Sequence, residues 1–275
     1  MEHAINFFKT HFGQASSTDS NPKAGKNQLE KATDASVISF PLERRRVVGG
    51  LVVLAAILIA ANLAVLITDY LTGYDMKMVQ RLVKVFSVDY ELNAPAFFST
   101  LILLFSSVLL AVITHFKREQ GSPYVWYWTI LSLGFLFMAF DEMASVHERL
   151  IEPMRTVLGE TDLGVFYFAW VVPGILLVFG LGFFFLRFWW NLPSKTRTCF
   201  FIAATLYLGG AIGMELLDGS FAELHGKRNL TYMLLSTLEE SLEMAGIIVF
   251  IYGLLGYIAQ NTKTLVFRLG EGTEG

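Results

Sequence analysis

Residues 230–259 read LTYMLLSTLEESLEMAGIIVFIYGLLGYIA, and how far a membrane reaches into this stretch decides the fold. From Met244 to Ala259 it is apolar without interruption, but that is only 16 residues. A transmembrane helix needs about 20. The span therefore extends back through Glu243 and toward Glu240 and Glu239. At about 100° per residue, Tyr232, Ser236, Glu239, Glu243 and Gly246 fall on one side of such a helix, with Glu240 at its edge. Acids stacked on one face of a membrane helix look into protein, because an ionised side chain in hydrocarbon is expensive. The stretch reads as a membrane helix that begins in a stripe of carboxylates.

The rest of the chain has the same character. Of 275 residues, 54% are hydrophobic and only 16% charged, with a mean hydropathy of +0.51. A soluble chain of this length carries more charge. Six apolar runs, at roughly 47–68, 96–115, 125–147, 164–187, 198–217 and 233–258, are predicted to span a membrane. The expected fold is an all-α membrane protein: a bundle of about six transmembrane helices behind a disordered N-terminal tail. Residues 1–43 are expected to be a disordered cytoplasmic tail, rich in Ser, Thr, Asn and Lys with little to bury. Residues 44–262 form the transmembrane domain and 263–275 a cytoplasmic C-terminal tail. The polar stretch before the first span is too long for a cleavable signal peptide, so that span is expected to act as an uncleaved anchor.

Charge sets the orientation. With the N-terminus inside, 14 of the 21 Lys and Arg residues fall on inner segments and 7 on outer ones. The excess of positive charge inside favours that arrangement, with both termini cytoplasmic. Between the first two spans, residues 74–88 place Met78, Val79, Leu82, Val83, Val85 and Phe86 at helical spacing. This predicts an amphipathic helix on the outer surface. Pro95 suits an early position of the second span. Pro173 is expected to kink the fourth. Gly209 and Gly213 have the spacing of a small-residue helix contact.

This topology brings the acids of three spans to one level. The third ends in AFDEMASVHERL (139–150), which carries Asp141, Glu142 and Glu148; the fifth ends with Glu215 and Asp218; the sixth begins with Glu239, Glu240 and Glu243. Helical phase puts Asp141, Ser145 and Glu148 on one face, and turns His147 about 100° away from it. Asp89, Glu91 and Asn93 precede the second span as rim residues, joined by Ser145, Arg149 and His225. A buried carboxylate must be protonated, paired or bound to a cation. The nearby bases are Arg149, Arg155, Lys227, Arg228, His147 and His225, too few for all the acids.

The ligand set is rich in oxygen and poor in histidine. Among five histidines only His147 and His225 lie near the acids. A three-histidine zinc site is therefore not supported. No Glu-x-x-His pair is present for a di-iron bundle. The single cysteine, Cys199, excludes a disulfide within the chain and any multi-cysteine metal site. No Gly-x-Ser-x-Gly, phosphate-binding loop or dinucleotide fingerprint is present, and nothing suggests nucleic-acid binding. Carboxylate oxygens suit hard divalent cations, so a divalent metal is the expected cofactor.

The segments FSVDYELNAPAFFS, DEMASVHE, GMELLDG and LTYMLLSTLEESLEMAGIIVFIYGLL resemble a group of uncharacterised bacterial multi-pass membrane proteins. The resemblance covers most of the chain from about residue 47 onward and supplies no activity. It implies a bacterial cytoplasmic membrane and the lipid bilayer as the surrounding partner. The functional expectation is a carboxylate-rich pocket at the outer face that binds a cation or metal, in a membrane enzyme or a sensor. It would be formed by Asp141, Glu142, His147, Glu148, Glu215, Asp218, Glu239, Glu240 and Glu243. No residue is assigned a catalytic role. Two other readings stay open: a proton- or cation-coupled transporter using these acids as a relay, and a structural subunit whose acids pair with bases.

Overall fold

A computed structural model describes residues 43–159 and 162–261, all within one compact unit. The two expected tails, Glu43 apart, lie outside the described residues. Every described element is helical: α1 (Arg44–Leu71), α2 (Lys77–Phe86), α3 (Ala94–Glu119), α4 (Val125–Ala144), α5 (Ile151–Leu158), α6 (Val171–Trp190), α7 (Ser194–Leu208), α8 (Glu215–His225) and α9 (Leu230–Asn261). A π-helical turn, Gly209–Met214, joins α7 to α8 as one continuous rod.

Five helices are long and apolar enough to cross a membrane: α1, α3, α6, the α7–α8 rod and α9. α4 completes a sixth when taken with the segment that follows it at a bend of 74°. The chain is thus an all-helical protein with five to six candidate spans. α9 is the central post. Two thirds of its apolar window is buried, 67%, against 11% for α6 at the periphery. It packs against α1, α3 and α7, while α3 pairs with α4.

Two glycines set how closely α7 and α9 approach. A Cβ on Gly246 would lie 2.7 Å from the Tyr207 backbone nitrogen and 2.9 Å from the Ala203 carbonyl oxygen. One on Gly210 would lie 2.8 Å from the Glu239 carbonyl oxygen. The predicted contact pair is not the one used: Gly209 faces open space, and Gly213 has nothing nearer than 4.0 Å.

A polar tie holds α1 in place. Asn62 is fully buried; its amide donates to Thr237 Oγ1 on α9 (2.9 Å), and its oxygen accepts from the Val88 backbone (3.2 Å). At the same end, Asn93 caps α3 by accepting from Ala96 N (3.1 Å), with Pro95 in the first turn. Pro173 also falls in a first turn, that of α6. A proline there opens the helix instead of kinking it, because the first turn has no intrahelical amide bond to lose. The predicted kink of the fourth span is therefore corrected, and that helix starts at Val171 instead of near 164. On α2, Val79 and Val83 turn inward while Met78, Leu82 and Val85 remain exposed.

Candidate functional site: a cluster of carboxyl groups at one end of the bundle

The site begins at the π-helical turn. A wider turn carries an extra residue and rotates everything after it, and such turns recur at functional sites. Here it precedes Glu215 and Asp218, and it delivers both to α9. Gly210, within the turn, lets the two backbones touch beside Glu239 and Glu243. Glu239 then lies within hydrogen-bond reach of both Glu215 and Asp218.

Asp218 is only 1% exposed, and neither of its carboxylate oxygens accepts a hydrogen bond from a donor among the described residues. The group within its reach is another carboxyl, that of Glu239. Such a contact is a hydrogen bond only when one partner carries a proton. Glu215 is better served, because Trp170 Nε1 donates to its Oε1 at 2.7 Å.

α4 brings the second group. It ends at Ala144, and Ser145 adopts a left-handed conformation with φ 50°. The helical phase stops there, which corrects the wall of Asp141, Ser145 and Glu148 expected from periodicity. The chain instead folds His147 back onto Asp141. The His147 backbone nitrogen donates to Oδ1 (2.9 Å), and its Nδ1 donates to Oδ2 (2.8 Å). Glu148 and Arg149 are exposed. The Ser145 hydroxyl oxygen is buried without a partner among the described residues. The His147 ring packs on Trp170 at 4.8 Å between centroids. Asp141, His147, Trp170 and Glu215 therefore form a continuous chain from α4 to α8. Glu142 faces Glu240 and Glu243 electrostatically, and the Tyr207 side chain of α7 lies within reach of Glu243.

The rim residues divide. Tyr232 Oη donates to Asp89 Oδ1 at 3.1 Å. Asn93 is committed to capping α3 and to the Ser87 carbonyl (2.5 Å). Glu91 is exposed, and His225 stacks on Phe221 at 4.5 Å, away from any acid ion pair. Lys227 lies over the rings of Phe168 (4.5 Å) and Tyr232 (5.9 Å). Among the described residues, the cluster's one ion pair is Asp141–His147.

Asp89 lies in the loop before α3, outside the spans. Burial pushes its carboxyl above the usual range, against the opposing pull of Lys227 and the Tyr232 hydroxyl. A raised carboxyl favours folding fully below its unfolded pKa and loses that contribution as pH rises through the folded value. Asp89→Asn, which keeps the shape and removes the charge, is therefore expected to melt higher than the parent at neutral pH. The gain should shrink as pH falls through the raised folded value and be gone below about 4. Melting curves of both proteins across that range check it.

No group of three or more His, Cys, Asp or Glu among the described residues has the arrangement of a metal site. Glu239 instead reaches the carboxyls of Glu215 and Asp218 directly. Two openings lie elsewhere: one of about 390 Å³ beside Arg44 and Lys195, the other of about 170 Å³ beside Lys117 and Tyr124. Neither is lined by a predicted acid. Sequence reasoning missed Trp170 and Tyr207 as partners of the acids, and Glu223, whose carboxylate accepts from the backbone of Leu163 (2.9 Å) and Gly164 (2.5 Å). Trp170 and Tyr207 carry no charge, and position alone makes them polar contacts.

No curated protein and no solved structure matches the chain. The model described as Domain of unknown function (DUF8692) matches residues 50–257, a stretch that contains every acid of the cluster, and the chain belongs to that family.

Proposed function

We propose that this is an integral membrane protein whose acidic cluster binds protons and a hard divalent cation in exchange, at the outer face of a bacterial cytoplasmic membrane. The observation that carries the reading is the sealed Asp218 carboxylate against Glu239, with no ion pair to either among the described residues. Three adjoining acids, Glu215, Asp218 and Glu239, cannot all be anionic in a low-dielectric interior without a counter-charge. Protons supply it in the contact geometry. A cation entering among the same oxygens would displace them, with Glu240, Glu243, Glu142 and Asp141 as further oxygen donors.

The bias of Arg44, Lys117, Arg118, Arg187, Lys195 and Arg197 toward the end away from the acids supports an outer location for the cluster. The structural-subunit reading loses support, because among the described residues only one of the expected bases, His147, pairs with an acid of the cluster, Asp141. Transport through the bundle is also disfavoured. From Met244 to Asn261, α9 carries no Asp, Glu, Lys, Arg or His. A site with no charged residue behind it on α9 suits a cation- and proton-responsive sensor, or a membrane enzyme that uses the bound ion.

Equilibrium dialysis of detergent-purified protein against Mn²⁺ and Ca²⁺ at neutral pH tests this. Saturable binding to the parent is expected, with affinity about ten-fold or more weaker in Glu215→Gln and Asp218→Asn. If neither ion binds saturably to the parent, the cation reading fails.

A further inference from the structure

At the end of the bundle opposite the acids, the 390 Å³ opening lies between the first turns of α1 and α7 and the last turns of α9. Its polar lining is basic and hydroxylic: Arg44, Ser194, Lys195, Thr198, Tyr252 and Gln260, with no Asp or Glu.

Arg44 is fixed there. Its guanidinium lies 3.7 Å from the centre of the Tyr252 ring, and Nη2 donates to Tyr252 Oη at 2.5 Å. Gly256 makes this seat available, since any Cβ there would collide with Nη1. The two neighbours in sequence behave differently. Arg45 and Arg46 are exposed, and Arg46 pairs with Glu43 at 2.6 Å. Arg44 has no acid partner among the described residues, and neither has Lys195. A held guanidinium that lines an open cavity and has no acid partner among the described residues is a ready partner for an anion with several oxygens. The first turn of α7 adds to this. Its N-cap position is Pro193, and no side chain caps it, so the amides of Ser194, Lys195 and Thr196 keep their donors.

We propose that this opening binds a phosphate-type anion, either free phosphate or the phosphate of an anionic lipid headgroup. Arg44 and Lys195 supply the charge, and Ser194 and the first-turn amides supply further donors. Its place at the basic end of the bundle sets it at the level of headgroups if the apolar helices lie in a bilayer. The proposal stands apart from the cation reading of the acidic cluster, which shares none of these residues.

Calorimetric titration of the full chain in detergent tests it with three probes: inorganic phosphate, short-chain phosphatidic acid and zwitterionic short-chain phosphatidylcholine. Saturable binding of phosphate or phosphatidic acid, and none of phosphatidylcholine, is the expected result. Phosphate binding would mark a site for the free anion; binding of phosphatidic acid alone would mark a headgroup site. Lys195→Gln, an exposed position that leaves packing intact, is expected to weaken the bound probe about ten-fold, and Arg44→Gln by more. The absence of saturable binding by both anionic probes would overturn the proposal. So would unchanged affinity in Lys195→Gln together with Arg44→Gln.

Discussion

Replacing Gly246 with leucine is expected to cost about 3 kcal/mol of stability or more, the upper range for overpacking a core. The atoms a side chain would strike are backbone: Tyr207 N at 2.7 Å and the Ala203 carbonyl at 2.9 Å. A flexible neighbour could swing aside, but two helix backbones can only separate. α7 leads into the π-helical turn and α8, so the separation would also pull Glu215 and Asp218 away from Glu239. Stability and cation binding should therefore fall together. Gly134→Ala is the control. It meets nothing within 4 Å, and alanine's better helix propensity is expected to leave the protein unchanged or more stable by up to about 1 kcal/mol. Thermal unfolding of the purified variants separates the two outcomes.

The second large effect has the opposite sign. Without divalent cation at neutral pH, Glu239→Gln is expected to be more stable than the parent, by on the order of 1–2 kcal/mol. Glutamine keeps the length and offers N–H donors to Glu215 and Asp218. It also removes one of three carboxyls that compete for a counter-charge. Added cation should then raise the melting temperature of the parent far more than that of the variant, because a ligand stabilises only the state that binds it. If Glu239 served a structural ion pair, the variant would instead be less stable with or without cation.

α9 was legible because its pattern is regular. The apolar run falls short by a few residues, so the acids must be drawn inward, and a helix without interruption preserves their phase from Tyr232 to Gly246. α4 shows the limit of the same method. Periodicity assumes that the helix continues, and the left-handed Ser145 ends it. A serine with positive φ is uncommon and leaves no mark in composition. One such residue exchanged the roles of Glu148 and His147, exposing the first and pairing the second with Asp141. The glycine contact failed for a related reason. A π-helical turn breaks the four-residue repeat, so Gly210 meets α9 where a regular helix would have offered Gly209 and Gly213. Trp170 could be assigned to an interfacial belt on composition alone. Its position just before α6 is what makes its indole a donor to Glu215 and a platform for His147.

The fold places the acids together through specific devices: a π-helical turn, two close-approach glycines and one left-handed serine. A merely acidic surface needs none of these. The most direct measurement of what they accomplish is the number of protons released when a divalent cation binds. It is obtained by titration calorimetry of the parent in two buffers of different ionisation enthalpy. The account predicts release of about one proton or more per ion bound, reduced in Glu239→Gln. Saturable cation binding with no proton release, or release unchanged in Glu239→Gln, would contradict it.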